Sequence, residues 1–144
     1  MEQNKESIKA LNDLLQGEYM AVESFNTFIS RIEDGDIKDN LKNIQSQHRD
    51  NIETLANHIQ NIDGKPNENT FMKGKMGEMK LNMELGSEVD VNEVIEKALE
   101  GETKGINMAE EILRGKLDEK SRDLAGEILE KDRQSIHKLK GLLS

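Results

Sequence analysis

Three carboxylates and one imidazole, Glu18, His48, Glu102 and Asp132, stand where the surrounding pattern demands apolar side chains. Burying three acids beside one histidine is very unfavourable unless something neutralises them. A divalent cation is the simplest neutraliser. Oxygen ligands with a single imidazole nitrogen suit iron or manganese, and zinc also accepts them. These four residues are therefore the expected ligands of one divalent metal. No signature of a hydrolase, a kinase or an oxidoreductase cofactor site competes with it. The chain has no cysteine, which removes disulfides, thiol catalysis, Cys-zinc sites and Fe–S clusters together. Gly74-Lys75-Met76-Gly77 lacks both a preceding strand and a full phosphate-loop motif. No nucleophile–base set stands out, and no small-molecule substrate is indicated.

The elements that must position these side chains are helices. One proline, Pro66, and long stretches of Glu, Lys, Leu, Ile and Asn favour helix nearly throughout. Ile8, Leu11, Leu15, Glu18, Val22, Phe25, Ile29 and Ile32 step by alternating threes and fours, the seam of a helix packed in a bundle. Asp34-Gly35-Asp36 is a turn signal. The second seam carries Ile37, Leu41, Ile44, His48, Ile52, Leu55, Ile59 and Ile62, and Asp63-Gly64-Lys65-Pro66 ends it. The third carries Val91, Ile95, Leu99, Glu102, Ile106, Ala109 and Leu113, behind a capping-box signal at Asp90 and Glu93. The fourth carries Ala125, Ile128, Asp132, Ile136, Leu139 and Leu143. Alternation of the kind a strand needs never persists.

Each seam is thus broken once, near its middle. Glu18 lies about 16 residues before the first turn and His48 about 13 after it, a mismatch of roughly one helical turn or less at 1.5 Å per residue. A shift of 84 residues aligns 17–55 with 101–139 without a gap and pairs Glu18 with Glu102 and His48 with Asp132. Eight of those 39 positions are identical, above the two or three of chance, and the same register then holds for the second pair. The reading is one domain: a helical hairpin over 5–62, a crossover over 63–89 and a second hairpin over 90–142. Within the crossover, Phe71, Met72, Met76, Met79 and Met83 have the spacing of a short amphipathic helix lying on the bundle, not of a soft-metal site. His58 and His137 fall at boundary or surface positions, and Glu110-Glu111 and Asp118-Glu119 on solvated faces.

Composition limits the classes of partner. Lys plus Arg total 20 against 29 Asp plus Glu, a net charge of −9, and only four residues are aromatic, so a nucleic-acid partner is not expected. No apolar run reaches the roughly 18 residues of a membrane span, and MEQNKESIKALNDL has no basic segment followed by an apolar one. A cytoplasmic domain without membrane attachment is the expectation. Homo-oligomerisation through helix faces is compatible with it.

Two hairpins, a long crossover and a mid-helix Glu/His set resemble the ferritin-like superfamily, most of all a bacterial four-helix-bundle family of unknown function. The likeness runs over about residues 5–142. It implies an all-α, ferritin-like up-down four-helix bundle of two hairpins, the crossover carrying a short extra helix. The di-iron members of that superfamily place a lone Glu on the first and third helices and Glu-x-x-His on the second and fourth. Glu18 and Glu102 match the lone positions. The second motif becomes Gln45-Ser46-Gln47-His48 and the fourth Leu129-Glu130-Lys131-Asp132, so both bridging glutamates are missing. The resemblance therefore implies a non-catalytic bundle that binds one divalent metal or none. An iron-oxidising or peroxide-reducing enzyme is the first alternative. A self-associating module whose metal-free polar layer sets helix register is the second, with Asp132 at the water boundary if the helical phase is slightly off.

Overall fold

The computed structural model describes residues 2–68, 84–85 and 90–143, and every regular element among them is helical. Helix α1 spans Glu2–Ser30, α2 Gly35–Asn61, α3 Val91–Leu113 and α4 Glu119–Gly141. Three begin on an aspartate whose side chain accepts an otherwise orphaned backbone N–H. Asp34 takes that of Ile37 at 3.0 Å, Asp90 that of Asn92 at 3.0 Å, and Asp118 that of Ser121 at 3.1 Å. The Ser7 hydroxyl accepts the Asp118 N–H at 3.1 Å, tying the start of α1 to the α3–α4 turn.

Among the described residues the core forms two apolar clusters, and their membership sets the helix directions. One gathers Leu11 and Leu15 from early α1, Leu55 and Ile59 from late α2, Ile106 and Ala109 from late α3, and Ala125 and Ile128 from early α4. The other gathers Phe25 and Ile32 from late α1, Leu41 and Ile44 from early α2, Val94 and Ile95 from early α3, and Leu139 from late α4. Hence α1 and α4 run one way and α2 and α3 the other. The crossover must travel the length of the bundle. Its first residues fasten to α1: Asn12 donates to the Lys65 carbonyl at 3.1 Å and accepts the Asn67 N–H at 2.7 Å, while Gln16 donates to the Asn67 carbonyl at 2.6 Å. At the far end Leu85 is buried in the second cluster, and Glu84 pairs with Lys97 at 3.0 Å. The expected Met-stripe helix, with Met72, Met76, Met79 and Met83, lies outside the described residues. No helix among the described residues is long and apolar enough to cross a membrane.

The seam positions read from periodicity are buried or half-buried, with one exception. Leu143 is exposed, and Leu142 packs against the core instead, because α4 stops at Gly141 and the last residues leave its helical phase. The end of α2 also differs in detail from a glycine-capped helix. The left-handed residue is Asp63, at φ 66°, and Gly64 is needed for space. A Cβ on Gly64 would lie 2.8 Å from Ile8 Cγ1 and 2.9 Å from Ile59 Cγ2, both on branched side chains packed at the core. Gly64→Ala is expected to lower stability by about 1–3 kcal/mol, the usual cost of overpacking, measured by urea denaturation. An unchanged midpoint would show that the Ile8 and Ile59 side chains move aside freely.

Candidate metal centre

Between the two apolar clusters lies a polar layer, one residue from each helix. Glu18 and Glu102 are 5% exposed, His48 3% and Asp132 6%. The break in each seam thus falls at one level of the bundle, and the structure brings all four residues together around His48. Its Nδ1 makes a short hydrogen bond with Glu18 Oε2. Its Nε2 lies 2.6 Å from Glu102 Oε1. Asp132 Oδ1 lies 3.8 Å from Nδ1, on the same edge of the ring as Glu18. The Phe25 ring, centred 5.8 Å from the imidazole, covers the layer on the side of the second cluster.

With a carboxylate on each ring nitrogen, both nitrogens donate and the ring is an imidazolium. Its pKa reflects a contest. Burial pushes it down most strongly of any single cause, but hydrogen bonds and charges from Glu102 and Glu18 together outweigh burial and hold it well above 6.5. Asp132 is pushed up from 3.8 to about 8, first by burial and then by the negative charges of Glu18 and Glu102, which the His48 charge only partly offsets. One of its oxygens, Oδ1, is buried and has no hydrogen-bond partner among the described residues. A buried acceptor left unmatched is a rare and unfavourable arrangement.

Periodicity placed these four residues but missed those that support them. Asn51, 1% exposed, donates to Glu18 Oε1 at 3.3 Å and accepts from Gln47 at 3.3 Å. Asn51 is three residues from His48, so helical spacing puts it beside the layer, but it stands among Arg49, Asp50 and Glu53, and nothing in that polar stretch marks it as buried. Gln45 donates from Nε2 to the Val22 carbonyl and to Asn26 Oδ1, both at 2.8 Å. His58, half-buried, hydrogen-bonds Ser121 at 2.9 Å near the bundle end, and His137 is exposed.

The donor set suits one ion and not two. Glu18, His48 and Asp132 each offer an atom within 4.8 Å of the others, and the unmatched Asp132 oxygen belongs to this set. One hard or borderline divalent cation fits it. A second ion does not. Where bridging acids would be required, the Gln45 amide is committed to α1, and Leu129 packs in the first apolar cluster with Leu11 and Ile106.

Solved structures share this architecture at low sequence identity. A two-domain protein from Anabaena variabilis, with DJ-1/ThiJ/PfpI-like and ferritin-like domains, aligns over 96% of this chain at TM-score 0.77 and 19% identity. The chain spans only 36% of that protein. The dodecameric thioferritin of Bacteroides fragilis, a bacterioferritin-related protein, aligns over 96% of this chain and 84% of its own at TM-score 0.75 and 20% identity. Ferritin-like, diiron-carboxylate proteins from Bacillus anthracis align over 100% and 99% at TM-score 0.73 and 20% identity. The fold is accordingly a ferritin-like four-helix bundle. Residues 6–115 match the family described as Domain of unknown function (DUF2383). No match was found among functionally curated proteins.

Proposed function

We propose that this chain, which belongs to the DUF2383 family of ferritin-like bundles, is a non-catalytic protein that holds one divalent cation in its mid-bundle layer of Glu18, His48, Glu102 and Asp132. The observation that carries the reading is the buried Asp132 oxygen without a partner, grouped with Glu18 and His48 around one small space. Charge balance supports it. In the proton-bound layer two carboxylates oppose one imidazolium, with Asp132 neutral below about pH 8. Releasing the Nδ1 proton and the Asp132 proton balances the two charges that a divalent cation brings. The Bacillus anthracis proteins are diiron-carboxylate proteins, but Gln45 and Leu129 argue against two ions here. The Bacteroides fragilis protein is dodecameric, and a homo-oligomer built through outer helix faces is part of the same proposal.

One specific observation favours a second reading. His48 donates to carboxylates on both sides, so protons alone neutralise much of the layer, which would then serve only to set helix register. Elemental analysis separates the two. Untagged protein purified without added metal or chelator is compared with a Glu18→Ala/His48→Ala variant, folding being checked by circular dichroism. About one equivalent of iron, manganese or zinc is expected in the parent and none in the variant. The melting temperature of the parent should also rise when the same ion is added, as binding to the native state alone requires. Less than about a tenth of an equivalent in both, with melting unmoved by any of the three ions, would refute the proposal. Two equivalents, with oxygen uptake on adding Fe(II), would replace it by an iron-oxidising enzyme.

A further inference from the structure

We infer that the layer is one-sided: Glu18, His48 Nδ1 and Asp132 are the ligands, and Glu102 is a positioning residue that acts through His48 Nε2. This deepens the single-cation reading and rests on it. The two imidazole nitrogens sit on different edges of the ring with diverging lone pairs, so an ion on one is not bound by the other. Glu18 Oε2 and Asp132 Oδ1 both lie on the Nδ1 edge, and these atoms form the compact group. Glu102 Oε1 lies 2.6 Å from Nε2 and stands outside that group. A carboxylate in that place accepts the Nε2 proton, which leaves the Nδ1 lone pair free and fixes the ring's orientation.

The surroundings of the two glutamates differ in the same sense. Asn51 ties down Glu18 Oε1 at 3.3 Å, so Glu18 presents its other oxygen to Nδ1. The residue 84 positions after Asn51, Ser135, is buried on α4 one turn past Asp132, and its hydroxyl turns back to the Lys131 carbonyl at 3.3 Å. Glu18 is therefore braced as a ligand presenting one oxygen. Glu102 is directed at the histidine ring.

Zn(II) binding to the full chain and its variants tests this assignment. Glu102→Leu removes the acceptor on Nε2 and is expected to weaken Zn(II) about 10–100-fold while the stoichiometry stays at one. Glu102→Gln keeps an acceptor oxygen and should recover most of that loss. Glu18→Leu and Asp132→Asn should abolish stoichiometric binding. A nitrogen-15 NMR correlation spectrum of the Zn(II)-loaded parent should report Nδ1 as metal-bound and Nε2 as protonated, a signature that a merely structural role for Glu102 would not produce. The inference is overturned if Glu102→Gln abolishes binding as fully as Asp132→Asn does, if Glu102→Leu leaves affinity unchanged, or if the metal sits on Nε2. Failure of the parent to bind Zn(II), iron or manganese would instead overturn the cation reading itself.

Discussion

The metal-free protein is expected to melt at least roughly 8 °C lower at pH 8 than at pH 6, against the usual broad optimum of stability through neutrality. Two groups in the layer cause this. Asp132 holds its proton up to about pH 8 in the folded chain, against 3.8 for an exposed aspartate. His48 is likewise raised above 6.5, because the Glu102 and Glu18 hydrogen bonds and charges outweigh the effect of burial. A group whose folded pKa is raised contributes stability that is complete below its unfolded pKa and disappears as pH climbs through the folded one. For Asp132 that window runs from about pH 4 to 8, and for His48 it begins near 6.5 and extends upward. The groups facing them are Glu18 from α1 and Glu102 from α3. As Asp132 ionises, a third carboxylate joins these two in a dry layer. Over the two pH units from 6 to 8, at about 1.4 kcal/mol per unit for one proton, Asp132 alone loses about 2–3 kcal/mol, and His48 adds to this. Asp132→Asn, which imitates the protonated acid, should remove the Asp132 share of the slope and leave only that of His48, and an ion bound at pH 8 should restore melting. Scanning calorimetry between pH 5 and 9 checks all three. A parent profile that is flat from 6 to 8, or an Asp132→Asn profile as steep as the parent's, would remove the proton-held layer from the account.

The four layer positions were legible because periodicity is a strict test: a helix seam that alternates threes and fours exposes a polar intruder at once. Glu18, His48, Glu102 and Asp132 all violate their seams, and all four lie at one level around one imidazole. What periodicity could not yield is orientation. Which ring nitrogen faces Glu102 depends on side-chain torsions that leave no trace in spacing. Asn51 and Ser135 escaped because they stand one turn along from the layer residues, where a buried amide or hydroxyl looks like an ordinary helix-boundary residue. Asp63 escaped for a different reason. Sequence logic assigns the left-handed position to the adjacent glycine, but Gly64 is held against Ile8 and Ile59 and the turn falls on the residue before it. Helix directions became certain only through packing, since a 27-residue crossover at up to roughly 3.3 Å per residue reaches either end of the bundle.

Removing His48 alone is expected to be among the most damaging single changes in the chain, and removing the whole layer is expected to be harmless to the fold. His48→Leu leaves Glu18, Glu102 and Asp132 facing one another with no cation between them. Breaking a buried ionic group in this way costs about 3–5 kcal/mol, roughly 10–15 °C in melting temperature for a domain of this size. Part of that loss should return at low pH, where the acids take up protons. The combined change Glu18→Leu, His48→Leu, Asn51→Leu, Glu102→Leu and Asp132→Val leaves no charge in the layer and removes the amide that would lose its acceptor. It also joins the two apolar clusters into one. Such replacements are often neutral or stabilising by about 1–4 kcal/mol, because desolvation of the ions is no longer required. The combined variant should therefore melt no lower than the metal-free parent, show no slope between pH 6 and 8, and bind no metal. That outcome would mean the fold does not need its polar layer, so these acids are retained for what they bind and not for what they stabilise. If the variant instead lost its single cooperative transition or populated other helix arrangements, the layer would be a register device, and the metal reading would have to stand on stoichiometry alone.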